Sequence, residues 1–332
     1  NCIQMHWANQ LTKLQVDMTS YCNARCPACA RNQCGGDVTP GLELKHLDVD
    51  VWNKLCTDVH DIQKLTLNGN WGDPLMHPNA LEMLQTFIEH NPRASISVNT
   101  NGGMRKPEWW AELAQTLKRA YAHEVRFAID GIGNSHEMYR RGVDFFALCN
   151  NTKAYANAGG HAIWLMTLWD HNIEEVSTAR GLATVLGVQT FDTRYSHSPE
   201  QVNVNNEYWL YNKQAKQVEL ENTHLYNNYF SNHRKIQDKT DNCSQCPWYN
   251  DGRVQIDPWA KVWPCCNISV FTVEQEGFGP DLFDISKVPA DFNDLSQYGI
   301  YEILEHEWYN QTLSSAIDNA EHGICRQVCG VH

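Results

Sequence analysis

Leu14-Gln-Val-Asp-Met18, followed by Cys22-Asn-Ala-Arg-Cys26-Pro-Ala-Cys29, decides how this chain is read. The first stretch is short and apolar, as a buried strand is. The second places three thiols on one tight loop directly after it, and in sheets of parallel strands the loops after the strand C-termini carry the active site. Three thiolates at C-x3-C-x2-C spacing can hold three irons of a 4Fe–4S cube, leaving the fourth iron open to a small chelating molecule. The plainer alternatives are a structural zinc loop short of one ligand, or cysteines of the core.

Downstream, apolar runs alternate with helical patterns. Strands are expected at Leu14–Met18, Lys64–Leu67, Ser95–Asn99, Glu124–Ile129, Ala162–Leu168 and Thr190–Tyr195. Several are apolar on both faces, as parallel strands covered on both sides are. Helices are expected at Leu47–Val59, Asn79–His90, Pro107–Ala122, Phe145–Ala158 and Ile173–Leu186, with Pro107 in a first-turn position. Six strands alternating with helices imply a parallel sheet with right-handed crossovers, either doubly wound or a partial barrel. Residues 201–242 are rich in Asn, Tyr, Gln and Lys, lack Pro and Gly, and read as a helix-containing connector. Residues 243–332 form a smaller, irregular, cysteine-bearing tail, in which eleven carboxylates after Cys266 face only Lys287 and Arg326.

Composition narrows the function. Hydrophobic residues at 42% and charged residues at 20% of 332 positions support packed cores, enough for about two domains. A net charge of −13 repels a phosphate backbone, which argues against nucleic acid as a partner. No apolar run is long enough for a membrane helix, and no secretory signal pattern opens the chain, so a cytoplasmic protein without a membrane partner is expected. The 13 cysteines are clustered rather than spread as a disulfide framework, with Cys22, Cys26 and Cys29 in one set and Cys243, Cys246, Cys265, Cys266, Cys325 and Cys329 in another. Cys2, Cys34, Cys56 and Cys149 read as small hydrophobes.

Taken with its companions, the thiol loop resembles that of the radical S-adenosylmethionine (SAM) superfamily. Asn68-Gly-Asn-Trp-Gly-Asp-Pro-Leu-Met-His-Pro78 follows the second strand and resembles the family's glycine–glutamate–proline motif, as Gly72, Asp73 and Pro74. Ser97-Val-Asn-Thr-Asn-Gly102 ends the third strand in the family's manner, and Phe127-Ala-Ile-Asp-Gly131 with His136-Glu-Met-Tyr-Arg-Arg141 resembles the fourth strand and its SAM-contacting arginine. The resemblance covers residues 12–200 and implies a partial (β/α)6 TIM-like barrel over residues 1–200. It also implies a 4Fe–4S cluster on Cys22, Cys26 and Cys29, and SAM contacts at Gly72, Asp73, Pro74, Asn99, Asp130, Arg140 and Asn172. An external one-electron donor such as flavodoxin or ferredoxin follows from the same chemistry. Three positions depart from the family pattern: Ala28 replaces an aromatic residue, Asp73 a glutamate, and Ala128 a serine.

Cys246-Pro-Trp-Tyr-Asn-Asp-Gly-Arg-Val-Gln-Ile-Asp-Pro-Trp-Ala-Lys-Val-Trp-Pro-Cys265-Cys266 resembles the opening of the auxiliary-cluster extension called SPASM, or its shorter twitch form, a β-hairpin plus helix. Ala260 stands where that pattern has a turn glycine. Only two cysteines follow Cys266, which fits the twitch form with one auxiliary 4Fe–4S cluster on Cys246, Cys265, Cys325 and Cys329, with Cys243 and Cys266 as substitutes. A four-thiolate zinc site is the alternative, since Cys243-x2-Cys246 has zinc-like spacing.

Other residues carry less. Trp109 and Trp110 lie on a helix and read as core or interface. His77, His136, His171 and His197 fall near strand ends, where hydrogen-bonded histidines outnumber catalytic ones. Arg194 and Tyr195 close the sixth strand, a position suited to substrate contact. Two function classes follow: a radical SAM enzyme modifying a peptide or small molecule, often by oxidation, or a non-catalytic iron–sulfur or zinc protein serving electron transfer or scaffolding. A carrier has no use for the glycine motif or the barrel, which favours the enzyme.

Overall fold

The computed structural model describes residues 6–195, 201–215, 246–270, 288–318 and Cys325. A short helix α1 (Trp7–Gln10) leads into β1 (Lys13–Val16), and α2 (Val49–Asp58), β2 (Lys64–Leu67), α3 (Ala80–His90), β3 (Ser95–Thr100) and α4 (Pro107–Leu117) follow. Then come β4 (Ala122–Ala128), α5 (Asn134–Tyr139), α6 (Phe145–Asn157), β5 (Ala162–Leu168), α7 (Val176–Val185) and β6 (Thr190–Tyr195). All six strands pair parallel in sequence order, with no reversal of the kind a doubly wound sheet contains. This is the partial-barrel arrangement expected from the sequence.

Local chemistry sets the helices. The Asp48 carboxylate accepts hydrogen bonds from the backbone N–H groups of Asp50 and Val51 at 2.8 and 3.2 Å, and Asp144 accepts from that of Ala147 at 2.6 Å, satisfying N–H groups that a helix start leaves unpaired. Helix α3 buries Ala80, Met83, Leu84, Phe87 and Ile88, one apolar stripe laid against the sheet. Helix α4 stops at Leu117, five residues short of the expected end, because β4 already begins at Ala122.

The two faces of the sheet differ. Leu65, Leu67, Ile96, Val98, Val125 and Phe127 are sealed under the helices, while Lys64, Thr66, Asn99, Glu124 and Arg126 stand half-buried on the inner face. Of these six strands, β5 alone is buried along its whole length. The expectation of strands apolar on both faces therefore holds for β5 and not for β2 to β4, whose inner face lines an open, polar barrel interior.

Beyond β6, the connector expected over residues 201–242 opens with an antiparallel ribbon, β7 (Gln201–Val204) and β8 (Tyr208–Tyr211); residues 213–215 are helical, and residues 216–242 lie outside the described residues. The ribbon straps the barrel mouth: the Asn205 N–H donates to the Cys34 carbonyl at 2.9 Å, Arg141 pairs with Glu207 at 3.0 Å, and the Tyr208 hydroxyl donates to the Met138 carbonyl at 2.5 Å.

The tail begins with α8 (Pro247–Asn250), β9 (Arg253–Ile256), β10 (Val262–Trp263) and a one-turn helix α9 (Cys266–Ser269). Its later described part holds α10 (Ile300–Glu305), a wider helical segment Trp308–Leu313 and α11 (Ser314–Asp318). The hairpin β9–β10 extends the barrel sheet: β9 runs parallel to β1, Lys13 opposite Arg253 and Val16 opposite Ile256. The Gly252 carbonyl accepts from the N–H groups of Thr12 and Lys13 at 2.8 and 2.9 Å, and Trp7 packs between Tyr249 and Tyr309. No helix among the described residues is long and apolar enough to cross a membrane.

Two turn positions give a paired prediction. Gly252 has φ +64°, and a Cβ there would stand 2.2 Å from the Gln10 carbonyl oxygen, so Gly252→Ala is expected to destabilise by about 2 kcal/mol or more. Ala260 turns the hairpin with φ 65°, a left-handed conformation that penalises any Cβ. Ala260→Gly is expected to stabilise by about 0.5–1 kcal/mol, in the opposite sense to Gly252→Ala, and thermal melts of the two variants check the pair.

Candidate active site

The cysteine loop is anchored at its entrance by a close backbone approach. A Cβ on Gly72 would lie 2.2 Å from the Thr19 carbonyl oxygen and 2.7 Å from that of Tyr21, so the loop after β2 presses directly on the chain entering the thiol loop. The Asp73 N–H donates to the Tyr21 carbonyl at 2.9 Å. The buried Asp73 carboxylate then accepts from the Thr100 hydroxyl at 3.0 Å, the Asn101 N–H at 2.7 Å and the Leu75 N–H at 3.1 Å, joining the β2 and β3 loops. Burial raises its pKa to about 6 despite these bonds. Pro74 opens the short helical turn that follows.

The end of β3 reaches the thiols through a residue not singled out from the sequence. Asn101 directs its amide at the Cys22 sulfur, 3.6 Å away, and at the Asn23 side-chain oxygen, 2.9 Å away. It stands in the quoted Ser97–Gly102 motif, so the motif pointed to the right strand end. Asn99 lies two residues earlier, half-buried beside Arg126.

On the opposite side, Asp130 and Arg140 form a buried ion pair at 2.6 Å, and the Arg140 guanidinium donates to the Cys26 sulfur at 3.5 Å. Burial works against that guanidinium's charge, but Asp130 and Cys26 outweigh it and hold the Arg140 pKa up. Asp130 is fixed in turn: its carboxylate accepts from the Thr167 N–H at 2.5 Å, and its own N–H donates to His136 Nδ1 at 3.1 Å. Asn172, fully buried, donates to the carbonyls of Asp130 and Thr167 at 3.0 Å and accepts from the Trp169 N–H at 2.8 Å, clamping the β4 and β5 loops together.

Three thiols sit between these supports. Within the loop, the Ala24 N–H donates to the Cys22 sulfur at 3.4 Å and the Cys29 N–H to the Cys26 carbonyl at 3.0 Å. Burial pushes all three thiols up, Cys26 to about 11 although Arg140 opposes the rise. The donor set is soft, and a cation already stands beside one sulfur, which suits thiolate ligation of iron with loss of the thiol protons. These residues fit a 4Fe–4S cluster.

In the tail, Cys265 caps α9, accepting from the Ile268 N–H at 3.4 Å. Burial raises its thiol first, and Cys266, Cys246 and Cys325 add to the rise, so these sulfurs share one neighbourhood. Burial raises the Cys266 thiol to about 11, Asp17 of the barrel adds to the rise, and a hydrogen bond with Gln15 opposes it. Cys243 and Cys329 lie outside the described residues. Among the described residues, no three His, Cys, Asp or Glu side chains converge on a single-ion site.

His77 bonds the Leu47 carbonyl at 2.9 Å and His171 the Ser135 carbonyl at 3.1 Å, while His197 falls outside the described residues. Trp110 is sealed in the core, its indole N–H on the Met104 carbonyl at 3.0 Å.

Comparisons with known proteins bear on the family and the fold. The family model described as the radical SAM superfamily matches residues 16–182. SuiB of Streptococcus suis bound to S-adenosylmethionine superposes with a TM-score of 0.59 at 10% identity, covering 93% of this chain and 68% of its own. The anSMEcpe structure with bound AdoMet also gives 0.59, at 14% identity, covering 91% of this chain and 80% of its own. At such identities the likeness speaks for the fold. A family model that spans half of the chain, on a sheet folded in the same way, makes this protein a member of the radical SAM superfamily.

Proposed function

We propose that this enzyme cleaves SAM reductively to methionine and a 5′-deoxyadenosyl radical, which takes a hydrogen atom from a peptide or small molecule held in the barrel. The observation that carries this reading is the convergence of Gly72–Pro74, Asn101 and the Asp130–Arg140 pair on the three-cysteine loop. When bound by Cys22, Cys26 and Cys29, a 4Fe–4S cluster supplies the electron for that cleavage. The chain's own residues do the rest. Gly72, Asp73 and Pro74 would present backbone to the SAM amino group, with Asn99 and Arg140 as further contacts. Asp130 and Asn172 would hold Arg140 and the β5 loop in place, and the β7–β8 ribbon restricts water at the mouth.

The tail would carry an auxiliary 4Fe–4S cluster on Cys246, Cys265, Cys325 and Cys329, which accepts the electron left on the substrate or helps to hold the substrate. The shared neighbourhood of Cys246, Cys265 and Cys325 supports this reading. A peptide substrate is supported by two fold relatives solved with peptides, SuiB with its precursor peptide SuiA and anSMEcpe with the Cp18Cys peptide. A flavodoxin or ferredoxin would deliver the electron.

Anaerobically purified protein is expected to carry about eight irons with matching sulfide, as two 4Fe–4S clusters require. Replacing Cys22, Cys26 and Cys29 together by Ala is expected to leave about four irons and to abolish 5′-deoxyadenosine release with dithionite. Release from that variant would sink the assignment of the first cluster. Replacing Cys246, Cys265 and Cys325 by Ala is expected to remove the other four irons while uncoupled 5′-deoxyadenosine still forms.

A pH prediction tests the support beneath Arg140. Burial foremost lowers His136 to about 4 from 6.5, so the folded protein keeps this ring neutral. The unfolded chain takes up the proton first as pH falls, so stability is full above pH 6.5 and about 3 kcal/mol is lost between there and pH 4. His136→Asn keeps an acceptor for the Asp130 N–H but does not titrate. Denaturant melts across that window are expected to show a flatter profile for the variant.

A further inference from the structure

Three guanidinium groups stand at the upper end of the barrel's inner wall, and two of them have carboxylate partners. Arg140 pairs with Asp130 at 2.6 Å and Arg126 with Glu124 at 3.0 Å. The third, Arg194 near the end of β6, has no ion pair among the described residues. Asp192, two residues deeper on the same strand face, does not reach it. Its one hydrogen bond there runs from Nε to the Thr167 hydroxyl, at 3.5 Å. Arg194 is exposed at the strand end, although the neighbouring strands still partly desolvate its guanidinium. That desolvation lowers its pKa first, repulsion from Arg140 and Arg126 adds to the fall, and Asp130 opposes it. Among the described residues, this fork of N–H donors is therefore unneutralised, in a chain whose net charge is −13.

We propose that Arg194 anchors a carboxylate of the substrate in the barrel mouth, an inference that rests on the radical SAM reading above. Register fixes the placement. Arg194 lies opposite Thr167 on β5, and the Thr167 N–H donates to Asp130 at the end of β4. Two strand spacings put Arg194 roughly 10 Å from the Asp130–Arg140 pair that touches Cys26. A molecule gripped at Arg194 thus spans from β6 toward the cluster loop, with its uncharged part over the site. A planar guanidinium matches a carboxylate bidentately, and it gains most where water is partly excluded. The Thr167 hydroxyl, itself bonded to Nε, holds the fork in that orientation. The carboxylate can belong to a small acid or to an acidic residue of a peptide.

The test uses the cluster-loaded, SAM-bound full chain in anaerobic calorimetry. Three probes are titrated: glutarate, the capped peptide Ac-Gly-Glu-Gly-NH2, and its neutral counterpart Ac-Gly-Gln-Gly-NH2. At least one acidic probe is expected to bind more tightly than the neutral peptide. Arg194→Gln is expected to weaken that probe by at least about tenfold, and Arg194→Lys to recover part of the loss. Preference for glutarate identifies a small acid and preference for the glutamyl peptide an acidic peptide; either supports the proposal. Equal binding of acidic and neutral probes, or an acidic probe indifferent to Arg194→Gln, overturns it. So does an equal loss of SAM affinity in Arg194→Gln, which would assign the guanidinium to the SAM carboxylate. Failure of the underlying reading shows separately, as wild-type protein that binds the acids but releases no 5′-deoxyadenosine.

Discussion

The active site depends on one steric constraint: backbone must touch backbone where the β2 loop meets the chain entering the thiol loop. Gly72 lies against the carbonyls of Thr19 and Tyr21, and a Cβ on Gly69 would fall 1.6 Å from the Gly72 oxygen. No side chain fits either position. Because the approach is so close, Asp73 can reach both Tyr21 and the end of β3, and Asn101 can reach Cys22. The ends of β2 and β3 are thereby fixed relative to the cysteines by hydrogen bonds of two buried side chains, Asp73 and Asn101.

Charge organises the other half. Buried thiols resist ionisation, so assembling a thiolate site in this interior needs a compensating cation. Arg140 is that cation, and Asp130 prevents it from turning away. The Asp130 carboxylate and backbone are held by Thr167, His136 and Asn172, so the charge beside Cys26 is fixed by three loops at once. The Asp73 replacement of the family's longer glutamate fits this tight geometry: the shorter side chain caps the following turn through the Leu75 N–H and still accepts from Thr100 and Asn101.

Much of the barrel was legible because its signals are local. β2, β5 and β6 run between the residues expected from their apolar patterns, and the cysteine loop and its companion motifs fall on strand ends that the fold brings together. What escaped notice was of two kinds. Helix α5 is only six residues long and carries His136, Met138 and Tyr139, too short for a helical period to emerge. The β7–β8 ribbon was masked by its polar composition, yet Asn205-Asn206 at φ 49° and 60° is the two-residue left-handed turn that a tight hairpin prefers. The second kind is long-range. Nothing near Arg253 announces that its strand lies beside β1, and only that pairing brings Cys266 near enough to Asp17 for the carboxylate to act on its thiol.

The pairing of β1 with β9 has a consequence for how the molecule is made. Its contacts join residues about 240 positions apart, such as Thr12 with Gly252. During synthesis, β2 to β6 emerge and can assemble on β1 long before its other edge has a partner. That edge presents unpaired backbone groups and apolar Leu14 and Val16, the kind of template on which chains associate with one another. The nascent barrel is therefore most exposed to misassembly just before β9 arrives, and a chain truncated ahead of Gly252 retains that open edge.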